Sequence, residues 1–67
     1  MAIIELAVEG IISIKNEREV SMVLMGLNGV EEVEIEEGEV KVDYDDDIIE
    51  EDEIIFAIEE MGYSVLD

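Results

Sequence analysis

Met22 and Met25, three residues apart, and the acids Asp43, Asp45, Asp47 and Glu51 are the side chains of this 67-residue chain whose types and spacing bear on metal chemistry. There is no cysteine and no histidine. Soft cations such as Cu(I) are selected by sulfur, and two thioethers without a thiolate or imidazole make a weak site. The four acids are spaced faintly like a calcium loop. Ile48, however, stands where such a loop needs glycine, and Ile54 where it needs a bidentate glutamate. Loose, millimolar-scale binding of divalent cations around Asp45 and Asp47 is therefore expected in place of a specific calcium site.

Catalysis is hard to assemble from this inventory. There is no cysteine or histidine nucleophile or base, a single arginine and no phosphate-cradling glycine loop. A carboxylate dyad needs a cleft, which a chain this short has little depth to form. No enzyme activity and no cofactor are expected.

The formal net charge is -18, with 21 acids set against Lys15, Arg18 and Lys41. Nucleic acid and anionic membrane both require clustered cations, so neither is a partner for such a surface. Self-repulsion predicts stability that rises as salt screens the charge. Solubility, or adaptation to a saline cytoplasm, is the favoured reading of the acidity over a dedicated basic partner, because net charge speaks to solubility and association and not to a specific role. The N-terminal stretch carries Glu5 inside its apolar run and has no basic flank. It therefore reads as neither a signal peptide nor a membrane span, and the cytoplasm is the expected location.

The elements that position these residues follow from periodicity. Ile4, Leu6 and Val8 alternate with Glu5, Ala7 and Glu9, as a half-buried strand requires. From about Asn16 the period lengthens, and Val20, Val23, Leu24 and Leu27 fall on one helical stripe that ends at Asn28-Gly29. Val33 and Ile35, then Val40, Val42 and Tyr44, alternate with charged residues around Glu37-Gly38. This is a hairpin whose register sets Ile35 against Val40, Val33 against Val42 and Glu34 against Lys41. Ile54, Ala57, Ile58 and Met61 form a second stripe closed by Gly62, and Tyr63 to Leu66 a last short strand. Acids crowd the start of that second helix, where the helix dipole stabilises them. The order strand, helix, strand, strand, helix, strand predicts an α+β, ferredoxin-like βαββαβ sandwich. Its four-stranded antiparallel sheet carries both helices on one face, and residues 1–67 form one domain.

With these elements the chain resembles the heavy-metal-associated domain, the module of copper chaperones, mercury-binding periplasmic proteins and the N-terminal regions of metal-pumping ATPases. The resemblance rests on Val20, Val23, Leu24, Leu27, Gly29 and Val30 in the first helix and turn. It continues through Gly38, Val40, Val42, Tyr44 and Asp45 in the hairpin and closes on Ala57-Ile58-Glu59-Glu60-Met61-Gly62-Tyr63. That family opens with Gly-Met-x-Cys-x-x-Cys after the first strand. Here the segment reads Gly10-Ile11-Ile12-Ser13-Ile14-Lys15-Asn16, so Ser13 and Asn16 occupy the two thiolate positions. A hydroxyl and a neutral amide do not replace thiolates. Asn16 followed by Glu17-Arg18-Glu19 is instead expected to act as an N-cap with an acid at the third helical position. Ile11, in place of the family's methionine, is expected to pack inward.

The resemblance also implies a docking edge near this loop, where Ile12 and Ile14 accompany Lys15 and Arg18. The alternative is that the two cations merely offset Glu17 and Glu19. Met22, Met25 and Phe56 point away from their stripes, either as one contact surface for a protein partner or a second copy, or as scattered exposure. The sequence thus reads as a small acidic relative of the metal carriers that has lost the thiolate site and works as a non-enzymatic interaction or regulatory module. The competing reading is a metallochaperone-like metal binder or transporter using methionine or carboxylate ligands, or ligands lent by a partner.

Overall fold

The computed structural model describes residues 1–66. Its elements run β1 (Ala2–Glu9), α1 (Ile14–Met25), β2 (Val30–Glu36), β3 (Glu39–Tyr44), α2 (Glu51–Glu60) and β4 (Ser64–Leu66). The strands form one antiparallel sheet in the order β2-β3-β1-β4, the ferredoxin-like arrangement expected from the element order.

Alternation along the strands sorts the sheet into two faces. Leu6, Val8, Val40, Val42 and Tyr44 turn inward and are buried. Beneath the helices they meet Val20 and Leu24 of α1 and Ile54 and Ile58 of α2, pairs spaced one turn apart so that each helix offers one ridge to the core. Ile49, in the turn before α2, closes the end of this core. Among the described residues, no layer covers the opposite sheet face, which carries Glu5, Glu32, Glu34, Glu36 and Glu39 around Lys41.

The hairpin has the expected register: Ile35 faces Val40, Val33 faces Val42 and Glu34 faces Lys41. Glu37 (φ 50°) and Gly38 (φ 81°) both lie in the left-handed region, as the turn that matches strand twist requires. Glu34 and Lys41 do not close to an ion pair. Among the described residues the one such contact joins the Met1 amine to Asp46 at 3.6 Å, and it is solvent-exposed. Pairs of that kind contribute little, so the fold rests on its apolar core.

Two helix boundaries differ from the expected ones. Helix α1 starts at Ile14, and its N-cap is Ser13, three residues ahead of Asn16. It ends at Met25 with Gly26 as C-cap, ahead of the expected Asn28-Gly29. Gly29 (φ +103°) instead turns the chain into β2, and its Cα lies so close to the turn before α2 that an added Cβ would come within 2.8 Å of Ile49 and 2.9 Å of Ile48. The first stripe is also narrower than expected. Val20 and Leu24 are fully buried, while Val23 is 42% exposed and Leu27 is only partly covered.

Candidate functional site

The segment from Gly10 to Asn16 joins β1 to α1. Its polar groups are used locally. The Ser13 Oγ accepts the Asn16 backbone N–H at 3.1 Å, and the Asn16 Oδ1 accepts the Ile12 backbone N–H at 3.2 Å. The Ser13 carbonyl accepts the Glu17 N–H at 3.1 Å, the first hydrogen bond of the helix. Ser13 and Asn16 thus form a reciprocal cap in which the serine satisfies the third helical N–H and the asparagine reaches back. Asn16, expected as the N-cap, is that third helical residue. Both side chains are engaged in holding the helix start.

Ile11 is half-buried against the core, whereas Ile12 is 89% exposed and Ile14 is exposed beside it. Gly10 (φ +111°) sits so close to Tyr63 that a Cβ would meet the ring at 2.8 Å, which packs the loop start against the end of the chain. A shallow cleft of about 530 Å³ runs between Ile11, Ile12 and Ile14 and the hairpin turn at Glu37-Gly38.

Lys15, Arg18, Met22 and Met25 recur at intervals of 3, 4 and 3 and therefore share one stripe of α1, exposed along its length. This stripe joins the two groups that sequence reasoning treated separately. Met22 is 74% exposed and borders a small cleft with Glu19, Val23, Met61 and Tyr63. Phe56, 62% exposed, lies instead on a larger apolar groove along α2, which shares Val23 and Met61 with that cleft. Met25 borders neither.

The groove along α2 is the feature that sequence reasoning missed. It measures about 810 Å³ and is walled by Val23, Leu27, Ile48, Phe56, Ala57 and Met61. Its polar margin is Asn28 with the acids Asp52, Glu53 and Glu60. Val23, Leu27, Ala57 and Met61 belong to the apolar stripes that periodicity directs to the core, and here they line a groove. The available signal was stripe width, since the apolar stripes of α1 and α2 are both broader than two short helices can bury against one sheet.

The acids do not gather as a calcium loop. Asp43 lies on β3, and Glu51 is the first residue of α2. Asp45, Asp46 and Asp47 instead bring their carboxylates within 4.8 Å of one another. The reason is a tight turn in which the Asp45 Oδ1 accepts the Asp47 N–H at 2.9 Å and the Asp45 carbonyl accepts the Ile48 and Ile49 N–H groups, both at 3.0 Å. Asp46 thus joins Asp45 and Asp47, although it falls outside the calcium-like spacing. Beside the turn, the Tyr44 phenol is held above its ordinary 10.0, first by desolvation on burial and then by the negative charges of Glu51 and Asp46.

With the geometry established, the likeness to solved structures becomes specific. A CopZ metallochaperone matches with a TM-score of 0.94 and 30% identity over 97% of this chain and 100% of the other. The copper binding domain of HMA7, a P-type ATPase, matches with a TM-score of 0.92 and 25% identity over 100% and 96%. The yeast copper transporter domain CCC2A, solved in apo and Cu(I)-loaded states, matches with a TM-score of 0.86 and 28% identity over 97% and 89%. No protein-family model matches the chain, and no curated protein sequence does. The chain belongs to the heavy-metal-associated family. It has the fold of the metallochaperones, and its sequence contains no cysteine to form a thiolate site. Among the described residues, no helix is long and apolar enough to cross a membrane.

Proposed function

We propose that this protein is a non-enzymatic interaction or regulatory module of the heavy-metal-associated family that no longer carries a soft metal. Residues 1–67 act as one domain, in the cytoplasm. One observation carries this reading. The two side chains at the thiolate positions are bonded to each other's surroundings, Ser13 Oγ to the Asn16 N–H and Asn16 Oδ1 to the Ile12 N–H. A metal loop must release its ligands to a cargo ion, whereas here the same positions maintain the helix start. Their donor chemistry agrees, since a hydroxyl and an amide oxygen are hard, neutral ligands with little affinity for Cu(I). The solved neighbours are metallochaperones and metal-binding domains, which favours binding over catalysis.

The second reading is a metal carrier with other ligands. It draws support from the proximity of Asp45, Asp46 and Asp47, whose oxygens suit hard divalent ions. A chelator-washed sample, titrated with Cu(I) against a chromogenic competitor and with Zn(II) or Ca(II) by amide NMR, separates the two. Copper remaining with the competitor and unmoved resonances from Gly10 to Asn16 are expected. Stoichiometric Cu(I) uptake, or saturable one-to-one shifts around Asp45 to Asp47 at micromolar Ca(II), would overturn the proposal.

A further inference from the structure

The groove along α2 is an open apolar surface of about 810 Å³, and the charged residues on its margin are all acids. Val23, Leu27, Ile48, Phe56, Ala57 and Met61 form the walls, and Asp52, Glu53 and Glu60 stand along the rim. None of the three cations of the chain borders it. Lys15 and Arg18 lie at the other end of α1, and Lys41 on the uncovered sheet face.

Shape and charge together select the occupant. The groove is open along one side, so a small apolar ligand seated in it would keep much of its surface in water. An amphipathic helix needs only one face covered and inserts side chains at positions i, i+3, i+4 and i+7. The ten residues of α2 span about 15 Å, room for two to three turns of such a helix. A second copy of the chain is a poor fit. Each copy carries -18, and a two-fold contact through the groove would bring Asp52, Glu53 and Glu60 against the same residues of its mate. Anionic membrane and nucleic acid are repelled for the same reason.

Taking the interaction-module reading as its basis, we propose that the α2 groove receives a cationic amphipathic helix of a partner protein. The apolar face of that helix lies on Val23, Ile48, Phe56 and Ala57, and its Lys or Arg flanks lie on Asp52, Glu53 and Glu60.

The test uses the full chain, isotope-labelled, and a synthetic amphipathic helix of Leu, Phe and Lys, about 16 residues or roughly 24 Å long. Amide shifts are expected to cluster at Val23, Ile48, Phe56 and Ala57. Phe56→Ala should weaken binding about tenfold or more, as loss of a central aromatic contact does. Because Phe56 is largely exposed, the thermal melt of this variant should stay close to that of the parent. The triple change Asp52→Asn, Glu53→Gln, Glu60→Gln should weaken binding and flatten its dependence on salt. No measurable binding would overturn the inference. So would equal binding by a scrambled peptide or by one with Glu in place of Lys, or shifts spread across the uncovered sheet face. Self-association abolished by Phe56→Glu would assign the groove to a second copy and overturn it as well. Shifts confined to Gly10 through Asn16 would refute the groove but leave the interaction reading intact. Stoichiometric Cu(I) uptake refutes that reading itself, so the two failures are distinguishable.

Discussion

The two ends of α1 meet solvent in opposite ways. At its N-terminus, where the family places its metal chemistry, the polar groups of Ser13 and Asn16 are satisfied within the segment, and only Ile12 and Ile14 are left apolar and exposed. At its C-terminus, Val23 and Leu27 slope into a groove whose apolar walls have no covering element and whose rim is acidic. The first end is closed by hydrogen bonds between neighbours in sequence. The second is open because two short helices do not cover the full width of their own apolar stripes. With no cysteine in the sequence, the domain still presents an open apolar groove along its helix layer.

The largest expected effect separates Val23 from its neighbour Leu24. Leu24→Ala opens a cavity in a fully buried position and should cost about 2–5 kcal/mol, enough to unfold much of a domain this small. Val23→Ala, on the groove wall, should cost less than about 1 kcal/mol. Urea denaturation measures both. A comparable loss at the two positions would mean that Val23 belongs to the core and that the groove is not a free surface.

Gly10→Ala tests the rigidity of the loop end. A positive φ and a Cβ at 2.8 Å from the Tyr63 ring should together cost about 1–3 kcal/mol. An unchanged denaturation midpoint would show that the loop gives way easily, as a working metal loop would.

Ser13→Ala removes the cap and should cost about 1 kcal/mol, with Ser13→Asp retaining most of the stability. Neither change should alter peptide binding in the groove. Equal stability of Ser13→Ala and the parent would remove the evidence that this position has a structural task.

A smaller effect lies at the end of β3, beside the turn at Asp45 to Asp47. Tyr44 stays neutral in the folded chain beyond the pH at which the unfolded chain ionises it. The stability from its neutral phenol is thus fully present below 10.0 and is lost as pH rises through the raised folded value. Tyr44→Phe should flatten this alkaline limb of thermal denaturation. Parallel loss in parent and variant would assign the limb to other groups.

Most of the fold was legible in residue order. Strand alternation, the Glu37-Gly38 turn and the pairing of Ile35 with Val40 are local patterns with a period of two, and a slip of one residue would expose the core. The cap was legible only in part. Ser13 and Asn16 are both capping residue types, three positions apart, and propensity alone does not say which of them begins the helix. The structure settles it by using both, with Asn16 inside the first turn. The acids do not form the calcium loop that Ile48 and Ile54 already argued against: β3 runs on through Tyr44 and the chain then turns tightly at Asp45.

The sequence by itself determined the order of elements, the hairpin register and the absence of thiolate and imidazole ligands, since each of these depends on residue identity or on near neighbours. Only the tertiary structure decided which edge of each helical stripe would be covered. Val23, Phe56 and Ile48 come together from three separate segments, and whether apolar side chains there reach water depends on how closely α1 and α2 pack, which periodicity along a single helix does not encode.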